Sequence, residues 1–347
     1  MKDIRKILIV RLSSLGDIIH TLPAFQSLRA TFPKARIDWL VERRLAFLLS
    51  AAESIDEVLP IDTHSLRANF ARRDSWLRLW EPLQAVRARR YDLAIDFQGL
   101  LKTAFLSLAS GARTRIGFSK ALVRERPADW FYHCRVNGPA VPVHVARLNL
   151  LLAQAAGAGS GELRAHLKAG SEAIHAMESQ LHHVQVGEYV VINPGGGWST
   201  KRWHPARYAA LTARIQKELE LGVIVVTGPG EEGIFKDIAN KCAEHPPFHF
   251  QVPFLQLIPL LSRARLIISG DTGPLHLACA LGTPAVAIMG PTSPVRNGPW
   301  SENDEAVFHH LPCSFCNGRS CPTKNECMDI SVAEVFAAIA RRLERGQ

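Results

Sequence analysis

The segment Ile7-Leu8-Ile9-Val10-Arg11-Leu12-Ser13-Ser14-Leu15-Gly16-Asp17 decides how the chain is read. Four consecutive apolar residues suit a strand buried on both faces. The Ser13–Gly16 turn follows, and apolar Ile18, Leu22, Phe25 and Leu28 then recur at helical spacing. A strand, a tight turn and an amphipathic helix make one half of a β-α-β unit. Further strand-like runs fall at Arg36–Val41, Glu57–Ile61, Leu93–Phe97 and Thr114–Phe118, with helical stretches between them. That alternation predicts an α/β fold with a doubly wound parallel sheet.

The pattern starts again at Tyr189–Ile192. It continues through a helix over Pro205–Leu219, strands Val223–Thr227 and Leu266–Ser269, a helix over Pro274–Ala280 and a strand at Ala285–Met289. A chain of 347 residues exceeds the size at which single cores stop growing, about 250–300 residues, so two domains are expected. The glycines at 157, 159 and 161 mark the stretch before the boundary, set between residues 165 and 166. In such folds ligands bind beyond the carboxyl ends of the strands.

Composition excludes several classes. Apolar residues make up 47% and charged ones 21%, which fits neither a disordered nor a membrane-spanning chain. The apolar run at Ile7–Val10 is too short for a signal-peptide core or a spanning helix, so a cytoplasmic protein is expected. Seven cysteines, an odd number, argue against a disulfide framework. The net charge of +9 is uneven: residues 1–170 hold 26 lysines and arginines against 15 acidic residues, a net of +11, and the remainder is slightly acidic. A field of that sign attracts a phosphorylated substrate, an anionic membrane or nucleic acid, or merely solvates the surface. No nucleic-acid module or interleaved aromatic and basic pattern accompanies it, so no nucleic-acid partner is expected. Neither half has G-x-G-x-x-G with an acidic residue about twenty positions on, which removes support for a dinucleotide oxidoreductase.

Chemistry-bearing residues gather at the strand ends. Asp17 stands at a helix start, where it is either a base or a carboxylate that complements the helix dipole. The turn Asn193-Pro194-Gly195-Gly196-Gly197-Trp198-Ser199-Thr200-Lys201 offers backbone N–H groups and a cation to a diphosphate, without the spacing of a Walker A loop. Ser269-Gly270-Asp271-Thr272-Gly273-Pro274-Leu275-His276 is a second phosphate-type turn. There Asp271 suits hydroxyl groups, Thr272 and Gly273 suit phosphate, and His276 reads as a ligand or as a core histidine. Thr227-Gly228-Pro229-Gly230-Glu231-Glu232 supplies a carboxylate for ribose hydroxyls, from Glu231 or Glu232.

Four ordered motifs carry a resemblance over nearly the whole chain. They are Ser13–Ala24 with Ile37–Glu42, then Ile95–Ala104, Gly196–Trp203 and Ser269–Ala278. On them the chain resembles the lipopolysaccharide heptosyltransferases of glycosyltransferase family 9, most closely their type I branch. The resemblance implies a GT-B fold, two Rossmann-like domains facing across a cleft, with residues 331–347 forming a helix that returns to the first domain. It implies an inverting transfer from ADP-L-glycero-β-D-manno-heptose to a Kdo-lipid A acceptor, with no metal and no cofactor, at the inner face of the inner membrane and in transient contact with its anionic surface. Asp17 is then the catalytic base and Lys201 the cation on the departing diphosphate. Gly196, Gly197, Thr200, Glu231, Glu232, Asp271, Thr272, Gly273 and His276 are implied donor contacts. Ser13, Ser14, Gly16, Lys102, Arg124, Arg126, His144 and Arg147 are candidate acceptor contacts, and Arg67, Arg72, Arg73 and Arg78 either join them or solvate a helix face. Other members of the family with a different acceptor, such as the type II branch, remain alternatives, as does a non-catalytic protein that binds a sugar nucleotide or an anionic lipid. Cys313, Cys316, Cys321 and Cys327 depart from the type I pattern and resemble the type II tail. Their spacing lacks paired C-x2-C knuckles, and no metal site is assigned to them.

Overall fold

In the computed structural model, residues 4–63, 82–242, 245–322 and 324–346 are described. The chain divides into two compact units, 1–166 and 167–347. Arg67, Arg72, Arg73 and Arg78 lie outside the described residues.

The first unit is a six-stranded parallel sheet in the order β3-β2-β1-β4-β5-β6. Its strands are β1 (Lys6–Val10), β2 (Arg36–Glu42), β3 (Glu57–Ile61), β4 (Leu93–Asp96), β5 (Thr114–Phe118) and β6 (Cys134–Val136). Strand β1 lies at the centre, with Ile7 opposite Ile37 on one side and Leu93 on the other. Ile7, Leu8, Ile9 and Val10 are all fully buried, as a strand covered by helices on both faces requires. The expected single helix after β1 is two, Leu15–Ile19 and Leu22–Thr31. Pro23, which has no N–H for a hydrogen bond to the preceding turn, sits in the first turn of the second helix and so cannot continue the first.

The second unit repeats the plan. Its strands are β7 (Tyr189–Asn193), β8 (Gly222–Val226), β9 (Phe248–Phe250), β10 (Leu266–Ser269), β11 (Ala285–Ile288) and β12 (Glu305–Val307), in the order β12-β11-β10-β7-β8-β9. Counted within each unit, both sheets have the order 3-2-1-4-5-6. That order reverses direction between the first and fourth strands, and the crevice beside their ends is where a nucleotide-type ligand is held. In the first unit the reversal lies between β1 and β4, and in the second between β7 and β10.

The final helix differs from expectation. Val332–Glu344 packs on β11, β12 and the helix Pro205–Leu219, all in the second unit. Its buried stripe of Val335, Phe336, Ala338 and Ile339 joins the core that contains Val190, Ile192 and Ile268. Each side chain the size of Ile339 stabilises that packing by about 2 kcal/mol. Ser331 and Glu334 close its N-terminus as a capping box, and the nearly buried Arg342 pairs with Asp304 at 2.6 Å.

Candidate functional site

Each sheet reversal carries one cluster of charged residues. In the first unit the turn after β1 places Asp17 on the first turn of the helix Leu15–Ile19, with its side chain 15% exposed. The Ser14 backbone N–H and hydroxyl donate to its Oδ2 at 3.0 and 2.9 Å. Arg11 reaches its Oδ1 from below at 2.5 Å, and Arg124 approaches from the solvent side at 3.3 Å. Burial pushes the Asp17 carboxyl up, but the two guanidinium charges and the Ser14 hydrogen bonds outweigh it and hold the group at about 2. It is therefore an ionised carboxylate at any physiological pH. Burial also pushes Arg11 down, with the Asp17 charge opposing it.

The end of β4 holds this turn in place. Buried Asp96 accepts from the N–H groups of Gln98 and Gly99 and from the Tyr132 hydroxyl at 2.6 Å. The Gln98 side-chain carbonyl in turn accepts from the N–H of Leu12 at 2.8 Å and of Ser13 at 3.4 Å, and Arg11 donates to the Phe97 carbonyl. Gly99 turns the chain at φ +68°, where a side chain would also crowd Val123. Arg11, Asp96, Gln98 and Tyr132 were not singled out from the sequence. A charged residue that directly follows a buried strand was the available signal for Arg11.

The expected acceptor contacts separate into groups. Ser13, Ser14, Gly16 and Arg124 are at the Asp17 turn. Lys102 donates to the Thr63 hydroxyl at 3.0 Å and lies 3.8 Å from Glu42. Arg126 and Arg147 are exposed. His144 is corrected: it is buried, its Nδ1 accepts from the Ala146 N–H at 3.2 Å as a helix cap, and its ring meets His20 edge-on at 5.1 Å. That role is structural, because a buried ring presents no face to an acceptor.

In the second unit the turns after β7 and β10 come together. Lys201 Nζ donates to Asp271 Oδ2 at 2.7 Å, and His276 Nε2 lies 2.9 Å from Asp271 Oδ1. Lys201 also stands 4.2 Å over the Trp198 ring, and Asn297 reaches Asp271 at 3.5 Å. Burial pushes the Asp271 carboxyl up. The hydrogen bond and charge of His276, with the charge of Lys201, overcome this and hold it well below the usual carboxylate range. Thr272 ends in a hydroxyl that donates to Asn193 Oδ1 at 3.0 Å, which ties β10 to the end of β7. Gly273 starts the nine-residue helix Gly273–Leu281, whose first N–H groups have no intrahelical acceptor. Gly270 comes so close to the Lys201 carbonyl that a Cβ there would lie at 3.1 Å.

Glu231 belongs to the backbone scaffold of this cluster. Its carboxylate accepts from the Gly196 N–H through Oε1 and from the Gly228 N–H through Oε2, both at 2.9 Å, so it ties the turns after β7 and β8 together. A Cβ on Gly195 would sit 2.1 Å from that carboxylate, which explains one of the three glycines. Gly197 has open space beside it. Glu232 is partly exposed and receives hydrogen bonds from Gln251 at 2.5 Å and from the Gly230 N–H, the first of which chiefly lowers its carboxyl. Thr200 is corrected as a direct donor contact: it is buried and its hydroxyl donates to the Gly318 carbonyl at 2.8 Å.

Cys313, Cys316, Cys321 and Cys327 line one small cavity with Thr200 and Gly290. All are free thiols, and among the described residues no group of three or more His, Cys, Asp or Glu is arranged to hold a metal ion. Burial, with the three neighbouring thiols, pushes Cys327 up.

The first cluster is a fixed, ionised carboxylate able to accept a proton. The second presents a cation and orphan N–H groups to an anion, and a carboxylate to hydroxyl groups. Comparison with known proteins places the chain in a family. The profile of glycosyltransferase family 9 (heptosyltransferase) matches residues 76–326. The chain is 31% identical over 332 residues to lipopolysaccharide heptosyltransferase 1 of Pseudomonas aeruginosa, covering 92% of this chain and 89% of that one. Among solved structures it is similar to the Escherichia coli heptosyltransferase WaaC with ADP, at 25% identity and a TM-score of 0.77 over 97% of this chain and 99% of that one. It also shares the fold of E. coli ADP-heptose lps heptosyltransferase II, at 19% identity and a TM-score of 0.73 over 98% and 99%.

Proposed function

The chain belongs to glycosyltransferase family 9, the heptosyltransferases, and from that premise we propose that it transfers heptose from ADP-heptose to Kdo-lipid A in the inner core of lipopolysaccharide. The observation that carries the proposal is that each unit holds one charged cluster at its sheet reversal, an ionised Asp17 in the first and Lys201, Asp271 and His276 in the second. Relatives named lipopolysaccharide heptosyltransferase 1, from Pseudomonas aeruginosa and Salmonella typhimurium, support an acceptor that belongs to lipopolysaccharide.

Each step is assigned to a group in one of the two clusters. The acceptor hydroxyl gives its proton to Asp17, its oxygen bonds to the anomeric carbon from the side opposite the nucleotide, and the bond to the ADP oxygen breaks, inverting the centre. Charge that grows on the leaving diphosphate meets the Lys201 ammonium and the first N–H groups of the helix Gly273–Leu281. No metal is required for that task. Asp271 holds heptose hydroxyls, oriented by Lys201 and His276. Glu231 acts on the nucleotide indirectly, by shaping the Gly195–Gly197 turn.

A carboxylate at about 2 is a weak base, so its strength must rise once substrate is bound. Arg124, about half exposed, is the partner free to move: an anionic group of the acceptor takes its guanidinium and leaves Asp17 paired with Arg11 and Ser14 only. The acceptor thus activates its own base. No described helix is long and apolar enough to cross a membrane, and the enzyme works at the inner face of the inner membrane by peripheral contact. Release of ADP from ADP-heptose by the purified chain, dependent on added Kdo-lipid A, tests the proposal. ADP release unaffected by the acceptor, or none at all, removes it.

A further inference from the structure

The helix Leu101–Ala109 buries Ala104 and Leu106 on its core side and carries a second apolar stripe on its solvent side. Its core-facing residues include Thr103 and Ser107, both fully buried, while Leu101, Phe105 and Leu108 lie on the solvent side at 41, 52 and 39% exposure. Positions i, i+4 and i+7 share one stripe of a helix. A surface helix of a globular protein has polar residues there. Of the two inward polar side chains, Thr103 has found partners: its hydroxyl accepts from the Leu100 N–H and donates to the Leu100 carbonyl.

The 3-10 turn Arg126–Phe131 packs against this helix and presents Trp130 at 75% exposure, the highest among the large exposed apolar residues described. The two elements are fastened together. The Gly99 carbonyl accepts from the N–H groups of Arg124 and Glu125, and the Leu101 N–H donates to the Glu125 carboxylate at 2.6 Å. Lys102 stands on the exposed side of the helix beside Leu101, and the exposed Arg126 begins the turn.

An exposed leucine alone needs no explanation, but an apolar helix stripe beside an exposed tryptophan and edged by cations does. We infer that this face is the surface by which the protein lies on an anionic lipid membrane. Leu101, Phe105, Leu108 and Trp130 enter the boundary between headgroups and acyl chains, and Lys102 and Arg126 rest on the headgroup phosphates. Charge complementarity selects lipid over a protein partner, because the centres of protein interfaces are depleted of lysine whereas an anionic leaflet attracts it. Tryptophan at the level of the headgroups fits the same setting. The inference rests on the proposed function, since an acceptor anchored in a membrane has to be met there. Arg124, hydrogen-bonded to Asp17 and to Gly99, lies between this face and the base.

The test is co-sedimentation of the full chain with vesicles of phosphatidylethanolamine and phosphatidylglycerol, and with phosphatidylcholine vesicles as control. The wild-type protein is expected to partition onto the anionic vesicles, and the variant carrying Phe105→Ser, Leu108→Gln and Trp130→Gln to do so about tenfold more weakly. Its melting temperature and its affinity for ADP should match wild type. If the triple variant does not fold, Trp130→Gln alone carries the test, with an expected loss of about threefold. Equal partition of wild type and variant onto anionic vesicles, equal binding to phosphatidylcholine, or no vesicle binding by the wild type would each overturn the inference. So would a variant that changed the oligomeric state in sedimentation velocity while its vesicle partition stayed the same, which would assign the face to a second copy. The vesicles carry no sugar acceptor, so their result is independent of heptose transfer. With a de-acylated, water-soluble acceptor the variant should turn over as wild type does, and a loss there too would count against a membrane role.

Discussion

The guanidinium of Arg11 lies 2.5 Å beneath the carboxylate of Asp17, buried between the ends of β1 and β4 and out of reach of solvent. Together with Arg124 and the Ser14 hydrogen bonds, the pair fixes both the place and the charge of the group proposed as the base.

Arg11→Gln removes that cation and should raise the Asp17 carboxyl from about 2 towards or above its ordinary value near 3.9. The acid limb of kcat/KM, expected below the accessible range in the wild type, should then enter the window of about pH 4–6, with Arg11→Lys restoring it. Stability changes in the same sense. A carboxylate depressed in the folded state stabilises above its unfolded value and loses that contribution as pH falls through its folded value, here between about 4 and about 2. The Asp17 contribution is on the order of 2 kcal/mol, and acid unfolding of Arg11→Gln should show less of it. A pH–rate profile of Arg11→Gln that overlays the wild type would show that Arg11 does not set the base.

Lys201 is held by Asp271 at 2.7 Å and by the Trp198 ring, which presents its ammonium in one place. Activity should therefore withstand chelation by EDTA, and Lys201→Ala should lower kcat by about 10² to 10³ while weakening ADP binding by about tenfold or more. Turnover measured with and without EDTA, beside calorimetric ADP titration of the variant, checks both parts. Magnesium-dependent turnover, or an unaffected Lys201→Ala enzyme, contradicts the role given to this lysine.

The basic excess of the first 170 residues should be read by the acceptor and not by the donor. Raising the salt from 0.1 M to 1 M shortens the Debye length from about 10 Å to about 3 Å. The acceptor KM should then rise steeply, with the donor KM changing much less, because the donor groups Lys201 and Asp271 are nearly buried. Arg124→Ala should raise the acceptor KM in the same way. Equal salt sensitivity of the two KM values, with an unchanged acceptor KM in Arg124→Ala, would remove the basic face from acceptor capture.

Much of this was legible in the sequence because the signals were local. Strands β3, β5 and β10 have the bounds expected from their apolar runs, and helix Pro205–Leu219 has those expected from its periodicity and its leading proline. The edge strands β6, β9 and β12 were missed: each has three residues with little full burial, too short for a period of two to show. The final helix was assigned to the first domain, and its amphipathic stripe names no partner; only the packing of Val335 and Ile339 against the second core decides it. Asp17, Lys201 and Asp271 stand out at strand ends, whereas Arg11 and Gln98 act through residues far away in the sequence, with 86 positions between Gln98 and Leu12. Thr200 and His144 looked like ligand contacts by neighbourhood alone, and burial turned both inward.

The most direct test of the account compares Asp17→Ala with wild type for two quantities in the same preparation, kcat with Kdo-lipid A and calorimetric affinity for ADP-heptose. Asp17 belongs to the first unit and the donor groups to the second, so the account expects kcat to fall by about 10² to 10⁴ and donor affinity to stay within about twofold. A kcat within about tenfold of wild type, or a loss of donor affinity that matched the loss of rate, would contradict the assignment of Asp17 as the base.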